Sequence, residues 1–94
     1  MQGHAACNII PVIAANRYGL ECVTPSKDNG GQKSELLFYG SSFVTDETGE
    51  VVCGASRDKE EIVYGSADLD AVREMRDSWG LFRDRRPEIY KMLI

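Results

Sequence analysis

The chain has few of the residues from which proteins build metal sites and disulfide frameworks. It contains one histidine and three cysteines. An odd cysteine count, without a CxxC pair or a Cys/His cluster, fits reduced thiols in a cytoplasmic protein better than a disulfide framework or a zinc site. Cys7, Cys22 and Cys53 have no base or positive charge nearby in sequence that would form a thiolate. They are therefore predicted to be buried or half-buried structural residues, and no metal is expected.

The sequence also lacks long apolar runs and an excess of positive charge. No apolar run approaches the length of a membrane span, and the N-terminus carries no signal pattern, so neither membrane binding nor export is predicted. The formal net charge of −4 makes attraction to nucleic acid unexpected. An apolar share of 43% is ordinary for a globular protein, and 94 residues allow one small domain or a piece of one.

Apolar runs and turn residues predict a helix end and two strands in the first part of the chain. Residues 3–8 are typical of the last turns of a helix. Residues 9–16 are almost continuously apolar, which favours a strand buried on both faces, although Pro11 weakens its beginning. A turn is predicted at residues 16–19, a short strand at residues 20–24, and a loop follows.

The middle of the chain predicts a hairpin. Residues 36–44 are apolar and interrupted by Gly40, and a turn with Gly49 leads into a strand at residues 50–54. Gly49 is expected to adopt a left-handed conformation. A charged loop follows, and residues 61–69 are predicted to form a further strand.

Two helices are predicted near the end of the chain. Asp68 or Asp70 can cap a helix that runs through Met75. The last helix is expected over residues 87–94, with Pro87 at its first position and Asp84 as its cap. Its apolar stripe would comprise Ile89, Met92 and Leu93.

Together these elements predict an α/β or α+β layer. The strand at residues 12–15 and the hairpin at residues 50–54 are expected in one sheet, with the helix from about Asp70 on one face. So short a chain has few elements with which to cover both faces of a buried strand. A piece of a larger domain, with an exposed apolar sheet face, is therefore the expectation.

Three segments, in this order, resemble the carbon–nitrogen hydrolase (nitrilase) superfamily. They are Met-Gln-Gly-His-Ala at residues 1–5, Phe-Tyr-Gly-Ser-Ser-Phe at residues 38–43, and the Trp- and Arg-rich stretch at residues 77–90. The resemblance covers the whole chain and is greatest to the branch that acts on N-carbamoylputrescine. It implies an α/β fold of the α-β-β-α sandwich type. Residues 1–94 would be the C-terminal part of that domain, with the catalytic front part absent.

The resemblance also implies a chemistry that this chain cannot complete. Family members use a Glu–Lys–Cys triad, in which a thiolate attacks an amide, ureide or nitrile carbon without a cofactor. None of the three cysteines matches the nucleophile motif, so no catalytic residue is assigned. The expectation is a fragment of an amidase of putrescine biosynthesis, inactive alone, whose full-length form is a homo-oligomer acting on a small amide or carbamoyl amine. The alternative is a non-catalytic piece that binds nitrilase-fold subunits.

Seven residues are candidates for contacts. The resemblance places His4 and Asn8 near the substrate, whereas Asn16 is expected in a turn. The other candidates are the large aromatic and cationic side chains of the last segment, of the types that dominate protein interfaces: Trp79, Phe82, Arg83, Arg85 and Arg86. Acidic residues are interleaved with these arginines, which disfavours a nucleic-acid site. Whether the chain is a truncated, excised or naturally split product is left open by the sequence.

Overall fold

The chain forms one thin layer instead of a compact body. The computed structural model describes residues 1–91. Its elements, in chain order, are α1 (Gln2–Asn8), β1 (Val12–Ala14), β2 (Tyr18–Val23), β3 (Ser34–Tyr39), β4 (Phe43–Thr45), β5 (Val51–Gly54), α2 (Leu69–Trp79) and a 3-10 helix (Pro87–Ile89). The extents are 55 × 40 × 16 Å, with a radius of gyration of 19.9 Å. A compact domain of this length would have a radius of about 12 Å. The mixed composition of helices and strands confirms the predicted α/β class.

Strands β1, β4 and β5 form an antiparallel sheet with β4 in the centre. This confirms that the strand near Val12 and the hairpin at residues 50–54 share one sheet. Thr45 in β4 is 1% exposed, and its Oγ1 accepts a hydrogen bond of 3.1 Å from the Val12 backbone N–H. The buried hydroxyl thus satisfies a backbone donor at the start of β1, where Pro11 cannot donate.

Strands β2 and β3 form a separate two-stranded antiparallel ribbon. The register runs from Tyr18 opposite Tyr39 to Val23 opposite Ser34. β2 begins earlier than predicted, because Tyr18 and Gly19 already pair with β3 and do not belong to the turn. The predicted interruption at Gly40 is confirmed, since this residue has a φ of +55° and separates β3 from β4.

The apolar run at residues 9–16 is shorter as a strand than predicted. Ile9 is the C-cap of α1, with a left-handed φ of 48°, and its side chain is buried. The prediction that this strand is buried on both faces is wrong for the described chain, because Ile13 in β1 is 78% exposed. No second layer lies over that side in residues 1–91. The expected exposed apolar sheet face is therefore present.

Helix α2 has a favourable capping residue at each end. The Asp68 carboxylate accepts hydrogen bonds of 3.0 Å from the backbone N–H groups of Asp70 and Ala71. The helix continues to Trp79, four residues beyond the predicted end at Met75. Gly80 then ends it in a left-handed conformation. Val72 is buried, and the groove beside it is also lined by Ile10 and Pro11. The helix therefore borders the α1–β1 junction, whereas the predicted packing over a sheet face is not confirmed.

Two predicted elements differ in the structure. Residues 61–69 contain no strand before α2 begins, and Ile62 and Tyr64 are largely exposed. A strand needs a neighbour for its backbone hydrogen bonds, and none of the described strands pairs with this segment. The last helix is one 3-10 turn, and its N-cap is Arg86 without a side-chain cap, so Asp84 does not cap it. The stripe residues Met92 and Leu93 lie outside the described residues.

The cysteines are more exposed than predicted. Cys7 and Cys22 are exposed and Cys53 is half-buried, and all three are free thiols. Within residues 1–91, no second layer covers the surfaces of α1 and β2 on which Cys7 and Cys22 lie.

Candidate functional site

Helix α1 brings His4 and Asn8 together. The two residues are four positions apart, so they lie on the same side of the helix. The Asn8 side-chain amide donates a 2.8 Å hydrogen bond to the backbone carbonyl of His4, and both residues are exposed. Ala5, between them in sequence, is fully buried. The amide oxygen of Asn8 and the His4 ring thus share one exposed surface. Their predicted contact with a substrate stays a prediction.

The turn between β4 and β5 positions this helix. Gly49 has a φ of 89°, which confirms the predicted left-handed conformation. A Cβ atom at this position would lie 2.8 Å from the backbone oxygen of Gln2. The Gln2 side-chain amide in turn donates to the carbonyl of Gly49 over 3.1 Å. Close approach and hydrogen bond together dock the first turn of α1 onto the hairpin.

Asp46 organises the same turn through one carboxylate oxygen. Its Oδ1 accepts from the Thr48 hydroxyl at 2.7 Å, from the Thr48 backbone N–H at 2.9 Å and from the Glu50 backbone N–H at 3.0 Å. The Thr48 hydroxyl is the main reason that the pKa of Asp46 is lowered, and the backbone donors act in the same direction. The turn therefore favours the ionised form of Asp46.

Asn16 joins the sheet to the ribbon. Its Oδ1 accepts from the Arg17 backbone N–H, and its Nδ2 donates to the Gly40 carbonyl, both over 2.9 Å. The Asn16 backbone N–H donates to the Ser42 hydroxyl at 2.9 Å. Asn16 lies in the short connection between β1 and β2, and backbone groups occupy its amide. Its role in connecting β1 to both β3 and β4 is long-range, so no local sequence signal could have revealed it.

A polar cleft of about 400 Å³ lies beside Asn16. Its walls include Arg17, Ser56 and Glu61. The adjacent Ser56 side chain and the hydrogen bond that the Ser56 backbone N–H donates to the carboxylate lower the pKa of Glu61, so this carboxylate is already occupied inside the chain. Arg17 is likewise paired with Glu21 at 2.6 Å. Arg17 and Glu61 therefore already have partners from the chain itself.

The predicted interface residues of the last segment fall into two groups, according to whether they are paired with a carboxylate. The guanidinium of Arg83 binds the Asp84 carboxylate at 2.8 Å, and that of Arg86 binds Glu88 at 2.5 Å. These arginine hydrogen bonds lower the pKa of Asp84 and of Glu88. Arg83 and Arg86 thus have local carboxylate partners.

Phe82, Arg85 and Trp79 form the second group. The guanidinium of Arg85 lies 5.2 Å from the Phe82 ring centroid, and Arg76, which the sequence analysis did not single out, lies at the same distance. Trp79 is 67% exposed and lines an apolar groove of about 320 Å³ with Ile9 and Met75. An exposed Trp, and a Phe ring contacted by two guanidinium groups, are residue types that are enriched at interfaces. Its use as an interface stays a prediction.

Metal and membrane chemistry have no support in the described part of the chain. Among residues 1–91, no group of three or more His, Cys, Asp or Glu side chains is arranged to hold a metal ion. Neither described α-helix has the length and apolarity required for a membrane span.

Comparison with known proteins places the segment in one family. The profile of the family described as Carbon-nitrogen hydrolase matches residues 1–77. The chain is similar to N-carbamoylputrescine amidase from Arabidopsis thaliana, with 44% identity over 94 residues, and to Citrullinase from Francisella tularensis, with 43% identity; each alignment covers 100% of the chain and 30% of the relative. A crystal structure of a carbon–nitrogen hydrolase from Helicobacter pylori G27 matches with a TM-score of 0.75 and 39% identity, over 98% of this chain and 30% of the other.

The chain thus spans about 30% of the length of these relatives. The prediction that the segment is the C-terminal part of the domain is not confirmed, because the matches do not establish a C-terminal position. The predicted membership of the family does not depend on that position. Since the profile covers most of the chain and the structural match covers nearly all of it, the chain belongs to the carbon–nitrogen hydrolase family.

Proposed function

We propose that this chain is part of an amidase that hydrolyses a linear amine bearing a terminal ureido group. The supporting observation is the similarity, over the whole chain, to both N-carbamoylputrescine amidase and Citrullinase. The two substrates in those names share the group R–NH–CO–NH2 and differ in R. Hydrolysis would consume one water and release the amine, carbon dioxide and ammonia. N-carbamoylputrescine is the favoured substrate, which would place the enzyme in polyamine biosynthesis.

The chain by itself would be inactive. The family's Glu, Lys and Cys triad would come from the other part of the longer domain, since this chain spans about 30% of its relatives. The role of residues 1–91 is then to supply the sheet layer, and α1 with it, against which the catalytic part is built. Within that layer His4 and Asn8 are the proposed substrate-side residues, because they share an exposed surface.

A chimera tests this proposal. The 94 residues replace the segment that they match in the A. thaliana N-carbamoylputrescine amidase, and ammonia release is measured with N-carbamoylputrescine and with citrulline. The folded chimera is expected to hydrolyse the first compound, and the 94-residue chain alone neither. A folded chimera inactive on both ureido compounds would contradict the proposed function, as would activity of the chain alone.

The substrate-side residues can be tested in the same chimera. His4→Ala is expected to raise KM for the ureido substrate, because the residue would contact the substrate and has no part in the triad. Gly3→Ala is the matched control, since Gly3 lies on the same helix and an added Cβ there has nothing within 4 Å. An unchanged KM in His4→Ala, with normal folding, would remove His4 from the substrate site.

The second candidate function is a non-catalytic piece that binds nitrilase-fold subunits. It is favoured by the exposed Trp79 and by the open layer of the chain. Binding of the purified 94-residue chain to the intact A. thaliana enzyme would support it. A monodisperse monomer without measurable affinity for that enzyme would count against it.

A further inference from the structure

One face of the β2–β3 ribbon is apolar and uncovered. Residues directly opposite in an antiparallel pair share a face, and alternate pairs lie on the same side. The pairs Tyr18–Tyr39 and Leu20–Leu37 therefore form one patch, here called the ribbon face. All four side chains are exposed, with Leu20 at 61% and Leu37 at 76%.

The opposite face of the ribbon has partners within the chain. The Arg17 guanidinium lies 3.8 Å from the centroid of the Phe38 ring and binds Glu21 at 2.6 Å. Phe38 is half-buried beneath it. The exposure of large apolar side chains is thus concentrated on the ribbon face, although Leu36 on the other side is also accessible.

An uncovered ribbon of this kind is not a stable end state. A two-stranded hairpin is at best marginally stable in water unless a third strand or another layer packs on it. Contiguous exposed apolar patches mark surfaces that a partner covers. The ribbon is also held in place: the hydrogen bond from the Gly40 backbone N–H to the Arg17 carbonyl closes its base, and Asn16 connects that base to the segment before β4.

The length of the relatives favours one occupant for the ribbon face. The chain provides a layer 16 Å thick and spans about 30% of its relatives' length. Domains are built from at least two packed layers, and stacked sheets lie about 10 Å apart. We propose that the ribbon face is a seam inside the domain, covered by the remaining part of a carbon–nitrogen hydrolase domain and not by a second subunit. This inference rests on the proposed function, in so far as it requires the chain to be part of such a domain.

The reactivity of the Cys22 thiol reports whether the ribbon face is covered. It follows Leu20 on the same side of β2, and its thiol is free and exposed. Thiol labelling of the chimera, read for the Cys22 peptide by mass spectrometry, should be at least about tenfold slower under native conditions than in urea. Labelling of native Cys22 at the rate of the unfolded chimera would overturn the proposal.

The same measurement identifies the occupant. Protection that persists when the chimera is diluted to monomers, as verified by sedimentation, assigns the cover to the same domain. Protection that disappears on dissociation assigns the face to a second subunit and overturns the proposal. Labelling does not depend on turnover, so a protected but inactive chimera would contradict the proposed function and leave the seam intact.

Neighbouring leucines offer a matched pair of variants. Leu37 lies on the ribbon face, and Leu36 lies on the other side opposite Glu21. In the chimera Leu37→Lys should lower the unfolding temperature or prevent folding, whereas Leu36→Lys, which would lie opposite Glu21, should leave Cys22 protection and folding near the parent values. Equal loss in both variants, or no loss in either, would contradict docking through one face.

Discussion

Two residues of the β4–β5 turn, Asp46 and Gly49, organise the turn and its contact with α1. Asp46 gathers three donors on one oxygen, and Gly49 allows α1 to approach the hairpin. The turn was recognisable from its composition, because Asp and Gly at these positions have specific backbone preferences. The contact of Gly49 with Gln2 was not, since 47 positions separate the two residues.

We expect Asp46 to make stability depend on pH. Its pKa in the folded chain is lowered from 3.8, so its stabilising contribution is complete above the unfolded pKa and is lost as the pH falls through the folded value. Asp46→Ala should lower the unfolding temperature at neutral pH and reduce the loss on acidification. Asp46→Asn is the control, because its amide oxygen still accepts hydrogen bonds but does not titrate there. Parallel pH profiles of the parent and Asp46→Ala in the chimera would contradict this role.

Gly49→Ala is expected to destabilise the folded chimera by about 1–3 kcal/mol, because it combines a positive φ with a close contact. The new Cβ would lie 2.8 Å from the Gln2 oxygen. Gly3→Ala is the control: this helical glycine has nothing within 4 Å of an added Cβ, and the change should be neutral or stabilising by up to about 1 kcal/mol. Denaturant unfolding of both variants measures the difference. Equal stabilities would show that α1 does not depend on the turn.

Among the elements, helix α2 shows how a local signal succeeds. Asp68 and Asp70 were both possible caps in the sequence, and the structure selects Asp68. The predicted strand at residues 61–69 shows how such a signal fails. Exposed Ile62 and Tyr64 have β propensity, but propensity without a paired neighbour does not produce a strand.

Asp68→Ala should destabilise by about 1 kcal/mol, because it removes the acceptor for two backbone N–H groups at the start of α2. Asp70→Ala is the matched change. It removes only a first-turn charge and an exposed ion pair with Arg73 at 3.6 Å, and should lower the free energy of unfolding by about a few tenths of a kcal/mol. Urea unfolding of the chimera separates the two. A larger effect at Asp70 would contradict the capping assignment.

At the scale of the whole molecule, the chain is an open layer that exposes large apolar side chains on its sheet, ribbon and last segment. This accounts for the mismatch between an ordinary apolar composition of 43% and a very small buried core, which comprises Ala5, Ile9, Val44 and Val72 among the described hydrophobic residues. The apolar residues are sufficient for a core. We propose that their partners belong to the remainder of the domain and to neighbouring subunits.

Trp79 is the residue at which the subunit prediction can be tested. In a complete enzyme, Trp79→Ala is expected to weaken subunit assembly more than it weakens catalysis in oligomers that still form, because the exposed Trp79 would act through packing. Arg83→Ala is the control, since Arg83 is already paired with Asp84. Sedimentation of the chimera variants measures assembly. An intact oligomer with only a lowered unfolding temperature would assign Trp79 to packing within its own subunit.

The sequence by itself determined the family, the α/β class, the β4–β5 hairpin with its left-handed Gly49, and the position of α2. These features follow from local backbone preferences, periodicity and motif order, which a single chain carries in full. Tertiary structure decided which faces are covered, which arginines find carboxylates, and that Asn16 connects the sheet to the ribbon. Such features depend on groups that are distant in sequence. The burial predicted for β1 and for Cys22 failed for the same reason, because burial depends on packing partners, and residues 1–91 place none over Ile13 or Cys22.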